Sequence, residues 1–193
     1  MAFLTETEVR RRAAQVMQRR QKSAGSILFE DTASTHQRFD VFLSHSSAEP
    51  EHILLGIKAM LEDRQLSVYV DKYSDPQLSP EDVTPDTANL LRDRMRSSNV
   101  LIYVYSQHSK ASRWMPWELG FFDGLKGAVG ILPITLDRED EFEREEYLGL
   151  YPYVDVALGA DSGRQHLWIR ETAGIYARLD LWATGKATIR PHP

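Results

Sequence analysis

Short apolar runs alternating with helical stretches constrain this chain more than anything else in it. Phe39–Ser44, Leu66–Asp71, Val100–Ser106 and Val129–Leu136 each run for six to eight residues between polar ends, and Tyr153–Val156 is a shorter fifth. Runs of that length and composition read as strands buried on both faces. Between them, Ala48–Arg64 carries Ile53, Leu54, Ile57, Met60 and Leu61 at helical spacing. Asp86 is placed to cap a further helix that continues through Leu90, Leu91 and Met95 to Ser98, and Trp114–Leu125 reads as the next. Pro116 is tolerable there because it falls in the first turn. Gln165–Ala183 is expected to form a last helix burying Leu167, Ile175, Leu179 and Trp182. Pro133 points to an edge position or a bulge for its strand, because proline lacks a ladder donor. Such alternation predicts a parallel sheet covered on both sides. Ligands of such sheets bind at the carboxyl ends of the strands. The loops after Ser44, Asp71 and Ser106 are therefore the places to look.

Ahead of the first strand, Thr5–Lys22 reads as a helix, with Thr5 and Glu8 at capping-box spacing. Val9, Ala13, Val16 and Met17 form a thin apolar stripe, and Arg10, Arg11, Arg12, Arg19, Arg20 and Lys22 give it basic faces. A docked or frayed appendage with a solvated charged face is the simpler reading, ahead of a contact with a partner, membrane surface or nucleic acid. Ser23–Gln37 is small and polar, as a linker should be, with Ile27, Leu28 and Phe29 able to pin it down. The expected division is thus 1–37, basic helix and linker, and 38–193, the domain. Lys72–Pro85 is a long loop with three prolines, and Asp137–Glu146 a strongly acidic loop or short helix.

Several functions are excluded by what the chain lacks. A net charge of −5 opposes nucleic-acid binding, which needs a basic surface. Without cysteine there is no disulfide, thiolate metal site or cysteine nucleophile. The six histidines show no metal-ligand spacing, so no metal is expected. Ser44-His45-Ser46-Ser47-Ala48 replaces any glycine fingerprint or P-loop, and there is no G-x-S-x-G. Tyr105-Ser106 ends the third strand where a phosphorylated receiver would carry aspartate. No run approaches the ~20 apolar residues of a membrane span, and Met1–Lys22 is too arginine-rich for a secretory signal. A cytoplasmic location, with no membrane and no nucleic-acid partner, is expected.

What remains is Ser112-Arg113-Trp114-Met115-Pro116-Trp117-Glu118-Leu119-Gly120. Trp114 and Glu118 are four apart and share one helix face. Such a pair suits a positively charged planar ring on a ribose, yet in isolation a carboxylate flanked by tryptophans is more often structural. Three stretches in order resolve the choice. Phe39–Ser46 resembles the first box of the TIR (Toll/interleukin receptor) family. Ser97-Ser98-Asn99-Val100 through Tyr105-Ser106 is similar to that family's third strand. Ser112-x-Trp114-x-x-x-Glu118 matches its serine, tryptophan and glutamate. Lys72–Pro85 then corresponds to the BB loop. The resemblance covers about Phe39 to Gly185 and departs from the family at Met115, usually cysteine, and at His45, where some members carry tyrosine.

The resemblance implies a flavodoxin-like three-layer α/β sandwich: a central parallel five-stranded sheet, helices on both faces, and here an added N-terminal helix. It implies NAD⁺ as substrate rather than cofactor, with Glu118 catalytic and Ser44, His45, Ser46, Asp71 and Trp114 binding the substrate. Core packing for Trp114, helix capping for Ser44 and Ser46, and loop capping for Asp71 stay open beside those roles; Trp117 reads as packing. A homo-oligomer on activation, and a separate effector reading the nucleotide product in antiphage defence, follow from the same analogy. One carboxylate can suffice, since nicotinamide already carries the positive charge and leaves as a neutral base, so no general acid is needed. The alternatives are a TIR module that only assembles, and a nucleoside deoxyribosyltransferase-like enzyme.

Overall fold

The computed structural model describes residues 2–32, 38–70, 84–136, 147–160 and 162–191. Five strands lie parallel in the order β3-β2-β4-β5-β6: β2 (Phe39–Ser44), β3 (Val68–Tyr69), β4 (Ser98–Tyr105), β5 (Val129–Thr135) and β6 (Tyr153–Leu158). These are the five apolar runs. Strand alternation splits their side chains between two cores. Val41, Leu43, Val100, Ile102 and Val104 face one; Phe42, Leu101, Tyr103 and Tyr69 face the other. The first core is closed by α1 (Glu6–Arg20), α2 (Ala24–Thr32), α3 (Glu51–Glu62) and α6 (Leu179–Ala183), the second by α4 (Pro85–Arg96) and α5 (Trp114–Lys126). The three layers are those expected.

The N-terminal segment is docked. Thr5 and Glu8 form the reciprocal capping box, with Glu8 N donating to Thr5 Oγ1 at 3.2 Å and Thr5 N to Glu8 Oε2 at 3.1 Å. Val9, Ala13 and Val16 are buried, and Gly56 of α3 lets the helices close. A Cβ at Gly56 would sit 2.2 Å from the carbonyl oxygen of Val9, so only glycine fits. Just before α1, β1 (Leu4–Thr5) adds to β5 in parallel. The basic faces of α1 are partly spent on ion pairs, Arg12 with Asp63 at 2.7 Å and Arg20 with Asp31 at 2.6 Å.

Four local expectations are corrected. Ser23–Gln37 is not simply a linker, because Ala24–Thr32 is α2, with Ile27 and Leu28 fully buried. Two large apolar side chains inserted into the core outweigh a weak local helix signal. Thr84, not Asp86, caps α4: its Oγ1 accepts from Thr87 N at 3.2 Å, while Pro85 and Asp86 occupy the first turn. Pro133 lies in an interior strand. It sits between Ile131, which pairs with β6, and Ile134, which pairs with β1, so its missing donor falls where β5 changes partner.

The last correction is the largest. Gln165–Ala183 is not one helix but β7 (Gln165–Thr172), β8 (Ile175–Arg178) and the short α6, and Arg190–Pro191 forms β9. β7, β8 and β9 continue the sheet antiparallel beyond β6. Leu167 and Ile169 are buried while Trp168 between them is only half-buried, a period of two. Ala173-Gly174 makes the hairpin turn. The expected BB loop, apart from Thr84 and Pro85, and the acidic Asp137–Glu146 lie outside the described residues.

Candidate active site

The carboxyl ends of β2 and β4 carry a buried polar cluster. Ser44, His45, Ser46, Glu49, Ser106, Ser109 and Glu118 are all withdrawn from solvent. Glu118 reaches it from α5, which begins after a 3₁₀ turn at Ser109–Ala111. Ser112 Oγ accepts from Met115 N at 3.3 Å and satisfies one amide of that first turn. The helix then buries Met115, Leu119 and Phe122 against the sheet. Glu118, between Met115 and Phe122 on that face, is carried inward with them, and is only 2% exposed.

A buried carboxylate is costly unless donors meet it. Ser44 Oγ donates to Glu118 Oε2 at 2.6 Å, within the short range of charge-assisted bonds. Seventy-four residues separate the two in sequence. His45 Nδ1 lies 2.9 Å from the Ser46 carbonyl; a carbonyl only accepts, so Nδ1 carries a proton. Ser46 Oγ accepts from Ala48 N at 3.2 Å, the local serine bond that favours tight turns. Trp114, one turn before Glu118, is half-buried and meets Trp117 edge-on at 5.3 Å. Trp117 stacks on Phe121 and lies under the Arg92 guanidinium, 5.3 Å from its ring, a packing role. Asp71 lies outside the described residues.

Besides Ser109, sequence reasoning missed one carboxylate of this cluster, Glu49. It is 5% exposed, and burial pushes its carboxyl above the usual glutamate value despite the Ser106 hydrogen bond. Ser106 Oγ donates to its Oε2 at 2.5 Å and itself accepts from His108 N at 3.1 Å. Glu49 N donates to the Ser46 carbonyl at 2.9 Å. The residue therefore ties the loop after β2 to the loop after β4. In the sequence it falls at the start of the helical stretch Ala48–Arg64, where an acidic residue is ordinary. A second buried carboxylate here has no signal in the sequence beyond Ser106 at the end of a strand.

A doubly wound α/β domain with a buried, serine-held carboxylate at its strand ends is the class these features define. Comparison with known proteins makes it particular. The family model described as TIR domain matches residues 41–168. The "Probable 3′ cyclic ADP-D-ribose synthase ThsB′" of Bacillus cereus (strain MSX-D12) is 43% identical over 145 residues, 75% of each chain. The "Putative cyclic ADP-D-ribose synthase TIR2" of Cytobacillus dafuensis is 30% identical over 104 residues, which are 53% of this chain and 27% of that one. The chain belongs to the TIR domain family.

Proposed function

We propose that this protein cleaves the nicotinamide–ribose bond of NAD⁺ and closes the remaining ADP-ribose into a cyclic product, with Glu118 as the catalytic carboxylate. The observation that carries the reading is Glu118 itself, buried at the strand ends and held by Ser44 at 2.6 Å. The 43% identity with a chain named as a 3′ cyclic ADP-D-ribose synthase favours cyclisation over simple hydrolysis, and a 3′ linkage.

The chemistry needs little from the protein beyond position and charge. As the glycosidic bond breaks, its electron pair passes to the nicotinamide nitrogen, which becomes neutral. Positive charge develops on the ribose. A carboxylate fixed beside that sugar stabilises the charge without reorganising, usually the largest catalytic effect. Ser44 holds that carboxylate in one rotamer. A hydroxyl of the adenosine ribose then attacks the anomeric carbon and gives up its proton, for which Glu118 is the acceptor. Water in its place would give linear ADP-ribose. His45 and Ser46 bind the substrate's ribose or phosphates, and Asp71 and Trp114 complete the contacts around the nicotinamide ribose. The nucleotide product serves as a signal to a separate effector in antiphage defence, and the protein self-assembles when active, in the cytoplasm.

Wild type and Glu118→Gln are incubated with NAD⁺, and in parallel with deoxynucleosides, and products are separated by chromatography. Nicotinamide release with a cyclic product, lost in Glu118→Gln, is the expected result. Equal turnover by both proteins sinks the assignment. Base exchange on deoxynucleosides would make the protein a transferase. No release even at high protein concentration would leave an assembly module.

A further inference from the structure

The β7–β8 hairpin shows two different faces. Leu167, Ile169 and Ala177 point into the core shared with α6. Strand alternation sends His166, Trp168, Tyr176 and Arg178 to the opposite face. There, with Ser162 and Arg164 from the preceding turn, they line a cleft of about 740 Å³. Small-molecule sites span roughly 300–1,000 Å³, so the cleft is large enough for one.

One wall is aromatic and rigid. Trp168 meets Tyr176 edge-on at 5.4 Å and His166 at 6.0 Å. Trp168 Nε1 donates to the Ala157 carbonyl at 3.2 Å, which fixes the indole. Arg170 lies over the Tyr176 ring at 4.3 Å and is itself clamped by buried Asp155 at 2.6 Å. The other wall is cationic. Arg164 is exposed, and Arg178 is half-buried and paired with Asp180 at 2.5 Å. Burial first, and then the fields of Arg178, Arg64 and Arg164, hold His166 below its ordinary value. His166 Nε2 meets Ser162 Oγ at 3.0 Å.

We propose that this cleft binds a nucleotide, with its base against Trp168 and Tyr176 and its phosphate between Arg164 and Arg178. Arg178 is already met by Asp180 at two points. An apolar ligand would still leave the exposed Arg164 side chain without a partner among the described residues, and a bare anion would leave the aromatic wall uncovered. A planar base joined to a phosphate answers both. The site is distinct from Glu118. Three strand steps separate β4 from β7 in the sheet order, about 14 Å at ~4.8 Å per step.

Titration of the full chain with AMP, and separately with adenosine, tests the proposal by tryptophan fluorescence. It does not depend on whether NAD⁺ is turned over. AMP is expected to quench saturably at low ionic strength, and adenosine to bind about tenfold more weakly or worse, because it lacks the charge-assisted bonds. Arg164→Glu, at an exposed side chain, is expected to weaken AMP by about tenfold or more with an unchanged melting curve. Arg178→Gln, read the same way, guards against a folding defect in the first variant. Absence of saturable AMP binding overturns the proposal, as does equal affinity for AMP and adenosine. So does AMP binding that neither variant alters.

Discussion

The strand-end cluster and the hairpin cleft are near opposites. At the ends of β2 and β4, two acids, Glu49 and Glu118, are buried and met by serine hydroxyls. On the β7–β8 hairpin, arginines stand at an open aromatic wall, and Arg170 there meets the buried carboxylate Asp155 of the neighbouring β6. The first arrangement suits a developing positive charge, the second a ligand that brings negative charge of its own. The contrast also shows two ways to bury an acid. Serine donors leave the negative charge available to a cationic centre. A guanidinium on one oxygen, as Arg170 Nε on Asp155 Oδ2, offsets it only in part, and burial still holds the carboxyl above its usual value.

The sharpest way to break this contrast is to unpair Asp155. Arg170→Met leaves a carboxylate buried without its counter-ion, and is expected to cost ~3–5 kcal/mol in chemical denaturation. A loss below about 1 kcal/mol, the range of surface pairs, would mean the pair contributes little. Glu118→Gln keeps the shape and removes the charge. Nicotinamide release is expected to fall by ~10²–10³, with the melting temperature preserved. Ser44→Ala removes a donor to Glu118 and is expected to slow the same reaction by roughly ten- to a hundredfold, the worth of one hydrogen bond to a charged group. An unaltered rate would show that other contacts hold the carboxylate.

The mildest effect concerns Glu49. Its carboxyl is raised in the fold by burial, so its contribution to stability is fully present below the usual glutamate range. That contribution is lost as pH rises through the folded value. Glu49→Gln escapes this loss. Its melting temperature relative to wild type is therefore expected to rise with pH and to lose its advantage on acidification. A difference that is flat with pH would refute the cause given for the shift.

The parallel core was legible because each strand is a continuous apolar run ended by polar residues, and that pattern needs no tertiary knowledge. The hairpin was not. Leu167, Ile175, Leu179 and Trp182 fit a helical face as well as they fit two strands and a short helix. The decision lay in the two-residue alternation around Trp168 and in Gly174, against a long favourable helical window. α2 was hidden by its small polar residues, and shows itself only through the burial of Ile27 and Leu28. Glu118 could be singled out from its spacing to Trp114 and the order of the motifs. Ser44 was nameable beside it, though nothing local says that the two side chains touch.

Periodicity and turn chemistry are written residue by residue, so the sequence by itself determined the five-stranded parallel core, the capped first helix and the short catalogue of polar residues at strand ends. Which of those polar residues meet was decided only when β2, β4 and α5 packed. Ser44 with Glu118, and Glu49 with Ser106, join positions 74 and 57 residues apart. Burial sets what each charge costs and which donor must answer it, and burial is a property of the assembled layers.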